Sequence, residues 1–478
     1  MVRKKEKYDV IIVGTGFASS FFLLSYLRRA KPNERILVLE RGYLDTHAWQ
    51  IQNETTSRID YHDTYRNKTP NKDWQFNVAF GGGSNCWWAN TPRFLPSDFE
   101  LKSRYGVGRD WPLSYDDLEP YYMEAERIMA ISGPADGGPT LRSEPYPQPP
   151  HRFTDPDLVF KSAYPDLFFN VATARARVAT ANRNRCCATG ACYLCPVDAK
   201  FTILNEMQDI YDDERVELQL GAVMDTVDVV GGIARGVNYR HEGNAVAAEA
   251  DLLILGANAL FNPHILMRSG FDHPLLGKRL NEQVGLPVYI DLAGLENYQG
   301  STSATGMGYM AYEGDHRSHQ AAFMCLTGNS IFDEDALRLE RGKWRQRLIL
   351  GLSFEDLPSE ENYVAVSPED PAVPETVYTG YSEYTQRAID ALPDTLTRLL
   401  EPLPVEGFRI GETVPTGAHI QGTTVMGDDP NDSIVDRNLV HHQVRNLLVL
   451  GSGAFPTCPP PMPTLTLSAL SLWAAAHL

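Results

Sequence analysis

The chain has 478 residues, of which 43% are hydrophobic and 22% charged, and its formal net charge at pH 7 is -18. This length exceeds the size at which a single hydrophobic core stops growing, so we expect a soluble globular protein of two domains. A strongly acidic surface repels nucleic-acid phosphates and anionic lipid head groups. The charge therefore argues against nucleic acid as a partner and against membrane docking through a basic patch.

The chain starts with a basic segment, residues 1–7, which is followed by a short apolar run. Gly14 and Gly16 interrupt the run and no small-residue cleavage site follows it, so it predicts a β-strand rather than a signal peptide. No stretch reaches the roughly 18 apolar residues that a membrane-spanning helix needs. The apolar run Leu465–Leu478 is too short to span and predicts a closing helix. We therefore expect a cytoplasmic protein without a membrane span.

The first forty residues have the order of a dinucleotide-binding unit: strand, glycine turn, helix, strand and acidic residue. The β-branched run Val10–Val13 predicts a parallel strand that is buried on both faces. Gly14 permits the tight turn, and Gly16 permits a pyrophosphate to approach the positive end of the following helix. Ser19 stands at the third glycine position of the motif. Glu40 ends the second strand, where a carboxylate suits the ribose hydroxyls of an adenosine.

This unit alone does not distinguish NAD from FAD, and three later segments bear on the choice. Residues 81–93 form a glycine-rich loop that ends in aromatic residues, residues 419–427 begin with His419, and residues 446–467 end in Pro-Thr-Leu-Thr-Leu. Glycines permit the close approach of a ligand to the backbone. The two tryptophans of the first segment are either core residues or the wall of a flat ring.

In this order, the motifs resemble those of the glucose–methanol–choline (GMC) family of FAD-dependent oxidoreductases. Residues 262–270 have its Asn-Pro-x-Ile-Leu-x-x-Ser-Gly pattern, and Glu355–Val364 resembles its Glu-x-x-Pro-x-x-x-Asn-x-Val segment. The His-x-x-Gly-Thr and Pro-Thr-Leu-Thr blocks follow near the C-terminus. The resemblance is strongest to the branch of pyranose oxidases and bacterial sugar dehydrogenases.

The resemblance implies an α/β fold in which a Rossmann-like FAD-binding domain is interleaved with an α+β substrate domain. An antiparallel sheet of the substrate domain, with flanking helices, is expected to lie over the flavin. The proline-rich residues 133–151 predict a crossing segment. The expected ranges are 1–100, 180–285 and 405–478 for the FAD-binding domain, and 101–179 and 286–404 for the substrate domain.

The resemblance also implies that FAD binds in an extended pose. Its pyrophosphate is expected at the first glycine turn, its adenine at the backbone of Val223 in a strand ahead of a hairpin, and its ribityl chain near Ser452. Many family members have Asp where this chain has Gly451. The residues expected to bind FAD are Gly14, Gly16, Ser19, Glu40, Arg41, Gly82, Gly83, Ser84, Cys86, Val223, Gly451, Ser452, Pro463 and Thr464.

His419 is the expected catalytic base, because family enzymes remove a hydroxyl proton while a hydride passes to flavin N5, and histidine has a suitable pKa. Family members usually have His or Asn where this chain has Met462, whose thioether accepts hydrogen bonds weakly and cannot donate. Gln421 or Asn90 could replace that partner. His441 and His442 lack this motif context and are expected at the surface or in turns.

Cys86 stands where pyranose oxidases carry a flavin-linked histidine. A cysteinyl–flavin bond is conceivable there, but a buried free thiol is the commoner state of cysteine, so the sequence favours non-covalent FAD.

Four of the seven cysteines, Cys186, Cys187, Cys192 and Cys195, lie within ten residues of one another. Their spacing and the final Cys-Pro are typical of iron–sulfur ligation, and some bacterial FAD-dependent sugar dehydrogenases bind a three-iron cluster at a similar run. Zinc and a metal-free loop are the alternatives, although adjacent cysteines suit tetrahedral zinc poorly.

The expected function is therefore FAD-dependent oxidation of a CH–OH group to a carbonyl on a small polar, sugar-like substrate. Iron at the cysteines favours a dehydrogenase with an electron-acceptor protein, whereas metal-free cysteines favour an oxidase. Two alternatives stay open: a non-oxidative lyase or isomerase, motivated by Met462, and a flavoprotein electron carrier without its own alcohol substrate.

Overall fold

The computed structural model describes residues 6–329 and 342–478. The helices of the described residues are α1 Phe17–Leu27, α2 His47–Asn53, α3 Pro96–Phe99, α4 Leu101–Tyr105, α5 Tyr115–Ile128, α6 Asp155–Ala163, α7 Ile203–Glu206, α8 Asn258–Arg268, α9 Lys343–Gln346, α10 Glu383–Asp390, α11 Leu392–Leu399 and α12 Thr464–Ala476. The strands are β1 Glu6–Val13, β2 Ile36–Glu40, β3 Arg66–Asn67, β4 Phe168–Asn170, β5 Val216–Leu220, β6 Val223–Val230, β7 Ile233–His241, β8 Asn244–Leu255, β9 Val284–Leu292, β10 Ala304–Ala311, β11 Phe323–Gly328, β12 Arg347–Phe354, β13 Tyr363–Val366, β14 Pro374–Val377, β15 Val405–Ile410, β16 Val440–His441 and β17 Val444–Val449.

An eight-stranded sheet contains the N-terminal unit. Its main path runs β16-β17-β8-β1-β2-β5, and the β6–β7 hairpin extends it from β8. β1 pairs in parallel with both β2 and β8, and residues Val10–Val13 are buried, as predicted from their β-branched run. α1 begins at Phe17 directly after the glycine turn, and Val223 opens a strand ahead of a hairpin. The predicted Rossmann-like arrangement of the first forty residues is therefore confirmed.

The C-terminal apolar run forms α12, which confirms the predicted closing helix. This helix packs between α1 and α5 and is buried almost all round, which explains why it has apolar residues on every face. Within residues 6–329 and 342–478, no helix combines the length and apolarity needed to cross a membrane.

A second, six-stranded sheet has the order β15-β9-β12-β11-β10-β4, and its strand pairs are antiparallel. In β9, buried residues alternate with partly exposed ones, so a single face of this strand is buried. That buried face contributes to a core that also includes Leu392 and Leu396 of α11. This is the antiparallel sheet with flanking helices that the family resemblance implied.

Two elements lie against a different sheet from the one that the expected domain ranges gave them. β15, which was placed in the FAD-binding domain, hydrogen-bonds to β9 and is the edge strand of the six-stranded sheet. α5, which was placed in the substrate domain, packs on α12 beside the eight-stranded sheet. Residues 133–151 connect α5 to α6 without forming a helix or strand, as their prolines predict.

A network of buried ion pairs joins the six-stranded sheet to helix α3. Arg317 is fully buried and donates to Asp98 of α3 at 3.0 Å and to Glu355, directly after β12, at 2.7 Å. Tyr312 donates to the same Asp98 carboxylate at 2.6 Å. Because a buried charge is costly unless it is paired and hydrogen-bonded, these contacts hold α3 in one position against the sheet.

Candidate active site

A cavity of about 500 Å³ extends from the carboxyl ends of β1 and β2 to the C-terminal blocks. It brings together most of the residues that the sequence predicts for the site, although they come from distant parts of the chain. These residues are Gly14, Gly16, Glu40, Arg41, Gly82, Gly83, Cys86, Val223, His419, Ser452, Met462, Pro463 and Thr464. An extended cavity at the carboxyl ends of parallel strands is the usual position of a dinucleotide in such sheets.

The glycine turn after β1 forms one end of this cavity. Gly14 has a φ of +92°, and a Cβ atom there would lie 2.6 Å from the carbonyl oxygen of Gly256, so the turn requires glycine. A Cβ atom on Gly16 would meet nothing within 4 Å, so this residue faces open space at the N-terminus of α1. Among the described residues, no side chain caps that terminus, and its N–H groups suit an anion such as a pyrophosphate.

Glu40 connects the first turn to the second strand. Its carboxylate accepts hydrogen bonds from the backbone N–H of Thr15 at 3.0 Å, from the Thr15 hydroxyl at 2.7 Å and from the N–H of Gly42 at 2.7 Å. Burial raises the pKa of Glu40, while these hydrogen bonds and Arg41 act in the opposite direction. The Oε2 atom accepts both bonds from Thr15 and Oε1 accepts the single bond from Gly42, so Oε1 retains capacity for a ribose hydroxyl.

The glycine-rich loop lies directly against the first turn. The N–H of Gly81 donates to the Thr15 hydroxyl at 3.0 Å, and a Cβ atom on Gly82 would lie 3.1 Å from the Cα atom of Gly16. Gly83, like Gly16, faces open space. Three residues later, the Cys86 thiol lines the cavity and donates to the carbonyl of Gly83 at 3.5 Å. Burial raises the pKa of Cys86, which keeps it a neutral thiol.

Three of the predicted FAD-binding residues do not line the cavity. Ser19 donates its hydroxyl to the carbonyl of Val13 at 3.1 Å and packs against the backbone of Gly256. Ser84 donates to the carbonyl of Gly81 at 2.7 Å, which closes the glycine loop on itself. Gly451 has a φ of +104° and turns the chain so that the next residue reaches the cavity. The structure thus gives these residues positions that shape the turns around the cavity.

His419 lies at the other end of the site, on a loop held by a buried carboxylate. The backbone N–H groups of Gly417 and His419 donate to the two oxygens of Glu282, each at 3.0 Å. The half-buried imidazole lines the cavity, and none of the described residues forms a hydrogen bond with its ring. Burial lowers the pKa of His419 to about 4, so the ring is neutral at physiological pH and is able to accept a proton.

Met462 lines the same cavity, after a loop that is fixed from the six-stranded sheet. The side-chain amide of Gln283 donates to the carbonyls of Pro459 and Pro461, both at 2.8 Å, and Ser353 donates to that of Pro460 at 2.6 Å. This explains the triple proline: it presents three carbonyls in a rigid segment. Met462 itself supplies no hydrogen-bond donor to the cavity.

Of the two residues suggested as substitutes for the missing partner, Asn90 lines the cavity, whereas Gln421 is not among its lining residues. The Oδ1 atom of Asn90 is buried and has no hydrogen-bond partner among the described residues. A buried amide oxygen without a partner is costly, so a ligand that donates a hydrogen bond there would be favoured.

Sequence reasoning missed several residues that the structure places near the site. Gly256 supports the first turn and Glu282 holds the His419 loop, but neither belonged to a motif that predicted such a contact. The expectation that His441 lies at the surface is wrong. This histidine is buried against the ring of Phe271, 4.7 Å away between ring centroids, although its strand β16 is the edge strand of the eight-stranded sheet.

The four clustered cysteines line a second, small cavity. Their thiols contact different polar groups: Cys192 pairs with the Ser303 hydroxyl at 3.0 Å, and Cys195 accepts from the N–H of Ala199 at 3.2 Å. Within the described part of the chain, no three His, Cys, Asp or Glu side chains adopt an arrangement that could hold a metal ion. The cysteines therefore converge on one place but do not form a ready ligand set.

Lys200 links the two cavities. Its buried ammonium donates to four carbonyl oxygens, at 2.7 to 3.1 Å, and burial lowers its pKa to about 8. Two of these carbonyls, those of Asn85 and Trp87, belong to the glycine-rich loop, and those of Cys192 and Tyr193 belong to the cysteine segment. The cysteine segment is thus joined through one side chain to the loop that lines the larger cavity.

Comparison with known proteins agrees with this arrangement. Residues 358–471 match the family model described as GMC oxidoreductase. The chain is 25% identical to the fructose dehydrogenase large subunit of Gluconobacter japonicus over 98% of this chain and 97% of that protein. It is 25% identical to the 2-methyl-1,2-propanediol dehydrogenase of Mycolicibacterium austroafricanum over 83% of this chain and 80% of that protein.

The fold is also similar to solved structures. Pyridoxine 4-oxidase from Mesorbium loti superposes with a TM-score of 0.69 at 17% identity, covering 98% of this chain and 99% of that one. Formate oxidase superposes with a TM-score of 0.67 at 15% identity, covering 99% and 98%. Residues 358–471 therefore resemble the GMC oxidoreductase family, as the motifs predicted, the full-length relatives are dehydrogenases, and the fold is that of GMC-type flavoproteins.

Two glycines of the first turn give a matched pair of substitutions. Gly14→Ala is expected to lower the free energy of unfolding of the apoprotein by about 2 kcal/mol or more, because it adds strain at positive φ and a clash with Gly256. Gly16→Ala is expected to change it by less than about 0.5 kcal/mol, because the methyl group enters open space. Denaturant unfolding of both apoproteins measures the difference, and an equal loss in the two variants would contradict this geometry.

Proposed function

We propose that this protein binds FAD in the 500 Å³ cavity and oxidises a CH–OH group of a small polar substrate to a carbonyl. The observation that carries the proposal is the position of His419. Its neutral imidazole lines the same cavity as the dinucleotide-type glycine turn. Alcohol oxidation by hydride transfer requires a base and a cofactor site in the same cavity.

The residues present suit FAD along the length of the cavity. The open backbone at Gly16 and the uncapped terminus of α1 would hold the pyrophosphate, and Glu40 would meet the adenosine ribose. Val223 would contact the adenine, and the flavin would lie at the end where Gly83 and Pro463 line the cavity. When bound there, FAD supplies the hydride acceptor of the reaction.

His419 would remove the hydroxyl proton of the substrate. Its low pKa keeps the imidazole neutral at physiological pH, and its ring has no competing partner among the described residues. Asn90 would donate to, or accept from, a substrate hydroxyl in place of the His or Asn that is common at position 462 in the family. Its position in the cavity lining supports that assignment over Gln421, whose buried amide atoms also have no partner among the described residues but do not line the cavity.

A polyol or sugar-like substrate is the class that the comparisons favour. Similar proteins include a fructose dehydrogenase large subunit and a gluconate 2-dehydrogenase flavoprotein from Pantoea cypripedii. The cavity of this chain has polar side chains for several hydroxyls, among them Gln75, Asn77 and Asn90. These groups fix orientation by hydrogen bonding, as expected in a site for a small polar ligand.

We propose separately that the four clustered cysteines bind an iron–sulfur cluster. It is supported by the convergence of four cysteines on one small cavity and by the Lys200 link to the glycine-rich loop. The present thiol positions do not form a ligand set, so iron would have to draw the cysteine loop together. A cluster there would favour a dehydrogenase with an electron-acceptor protein as partner.

We also propose a cytoplasmic location, which the seven free cysteines support, because disulfides are rare in the cytoplasm.

A non-oxidative reaction on the same scaffold is the second candidate. Met462 lines the cavity where family members usually have His or Asn, and its thioether cannot donate a hydrogen bond. Such an enzyme would convert its substrate without net reduction of the flavin. The flavin reduction experiment below separates the two.

His419→Ala is expected to slow anaerobic flavin reduction by sugars or polyols by about 10²- to 10⁴-fold, the usual contribution of a general base. Because burial lowers the pKa of His419 to about 4, the wild-type rate is expected to show no acid limb from this group between pH 5 and 8. Stopped-flow absorbance measures both. A wild-type flavin that no substrate in the panel reduces would favour the non-oxidative or electron-carrier function, and an unaffected variant would remove His419 as the base.

Acid precipitation tests the covalent state of the flavin. Burial raises the pKa of Cys86, and a protonated thiol is a poor nucleophile. We therefore expect Cys86 to be free and the FAD to remain in the supernatant. Flavin absorbance in the precipitate of the wild type, absent from that of Cys86→Ala, would show a cysteinyl bond instead.

Iron analysis tests the cysteine segment. If the cluster forms, protein purified without oxygen contains iron and acid-labile sulfide, and Cys192→Ser loses both while it retains FAD. Cys325→Ser is the matched control, because Cys325 is a buried thiol of the six-stranded sheet, outside the cysteine cavity. Iron-free wild-type protein would end the cluster proposal.

A further inference from the structure

We propose that Glu282 and Lys72 form a buried clamp that positions the loop of His419, so that Glu282 is a positioning residue of the reaction. The inference rests on the proposed function, in which His419 is the base. Glu282 precedes β9 of the six-stranded sheet, and it does not line the cavity in the described structure. It acts on the site through the backbone of the loop.

Glu282 holds the loop on both sides of a strained residue. Its two carboxylate oxygens accept the backbone N–H groups of Gly417 and His419, each at 3.0 Å. Between them, Ala418 has a φ of +57°, a left-handed conformation that an alanine rarely adopts. Such a conformation persists only where the surroundings restrain it, and the carboxylate supplies that restraint from outside the loop.

Lys72 completes the clamp from a third segment of the chain. Its ammonium forms an ion pair with Glu282 and donates to the carbonyl of Pro415 at 3.1 Å. The ammonium also lies 4.4 Å from the ring centroid of Trp74, where a cation is attracted by the π face. Lys72 therefore neutralises the buried carboxylate and fixes the start of the same loop.

Glu282 and Lys72 make more contacts than an ordinary buried ion pair needs. Both partners are buried, with 9% of Lys72 and 2% of Glu282 exposed, and a buried pair is often no more stable than apolar residues of the same shape. Here, however, each partner also holds backbone groups of residues 415–419. The pair thus directs its hydrogen bonds at the single loop that carries His419.

The clamp also determines the electrostatic environment of the imidazole. Glu282 raises the pKa of His419 and Lys72 lowers it, while burial has the largest effect. Among the described residues, Tyr378 and Cys458 are further titratable groups near Glu282, and burial raises the pKa of each so that both remain neutral. Changes to the two charged residues should therefore move the acid limb of His419 in opposite directions, which a purely structural pair would not do.

The first test compares Glu282→Gln with Glu360→Gln in the FAD-loaded protein. The control removes the charge from a neighbouring ion pair, Arg279–Glu360 at 2.7 Å, which does not hold the His419 loop. Glu282→Gln loses one of the two acceptors, so flavin reduction should slow by about 10- to 100-fold with little change in the apparent substrate dissociation constant. Amide hydrogen exchange in a peptide covering residues 411–420 should become about tenfold faster or more.

The second test uses Lys72→Met, which keeps both backbone hydrogen bonds to Glu282 and removes the positive charge. The acid limb of flavin reduction should move from near pH 4 to higher pH, because the charge that lowers the pKa of His419 is lost. This variant keeps the proposal testable if Glu282→Gln does not fold. An unchanged limb, a wild-type reduction rate in Glu282→Gln, or an equal loss in Glu360→Gln would each overturn the clamp.

Failure of the proposed function gives a different pattern. In that case the wild-type flavin is not reduced by any substrate of the panel, or His419→Ala is reduced as fast as the wild type, and the inference falls with it. If His419→Ala is slow but Glu282→Gln and Lys72→Met behave as the wild type, the proposed function stands and only the clamp is wrong.

Discussion

Two turns of backbone, at Gly14 and Gly256, approach each other so closely that neither position has room for a side chain. A Cβ atom on Gly14 would lie 2.6 Å from the Gly256 carbonyl oxygen, and one on Gly256 would lie 2.0 Å from the Ser19 hydroxyl. This contact sets the start of α1 against the carboxyl ends of β1 and β8, and it leaves Gly16 facing open space. The cavity, the uncapped helix terminus and the position of the glycine-rich loop all depend on it, because each is built outward from that turn.

The end of the cavity near His419 and Met462 is held in place by different contacts. The loop of His419 and the prolines before Met462 are both held by residues at the start of β9, through Glu282 and Gln283. Residues next to the six-stranded sheet therefore fix the two segments that carry His419 and Met462 into the cavity lining. The eight-stranded sheet supplies the glycine turn, residues beside the six-stranded sheet hold the His419 loop, and one cavity is lined by both.

The first unit could be predicted almost completely from the sequence, because a parallel strand, a glycine turn and a terminal carboxylate occur within forty residues and are local in origin. The motif order was also sufficient to place His419 and Pro463 at one cavity. By contrast, Glu282, Gly256 and Lys200 act through contacts with residues far away in the chain, which no local pattern encodes. Ser19 illustrates the limit: its small size was recognised, but only the fold shows that it packs against Gly256 instead of facing the cavity.

We propose that FAD spans this cavity from the Gly14–Gly16 turn to His419. The decisive measurement is a crystal structure of the protein with FAD and a slow or non-reacting polyol. We expect the pyrophosphate at the N-terminus of α1, the flavin ring between Gly83 and His419, and a substrate hydroxyl hydrogen-bonded to the imidazole. A flavin ring bound elsewhere, or an imidazole turned away from the ring and from the hydroxyl, would refute this placement.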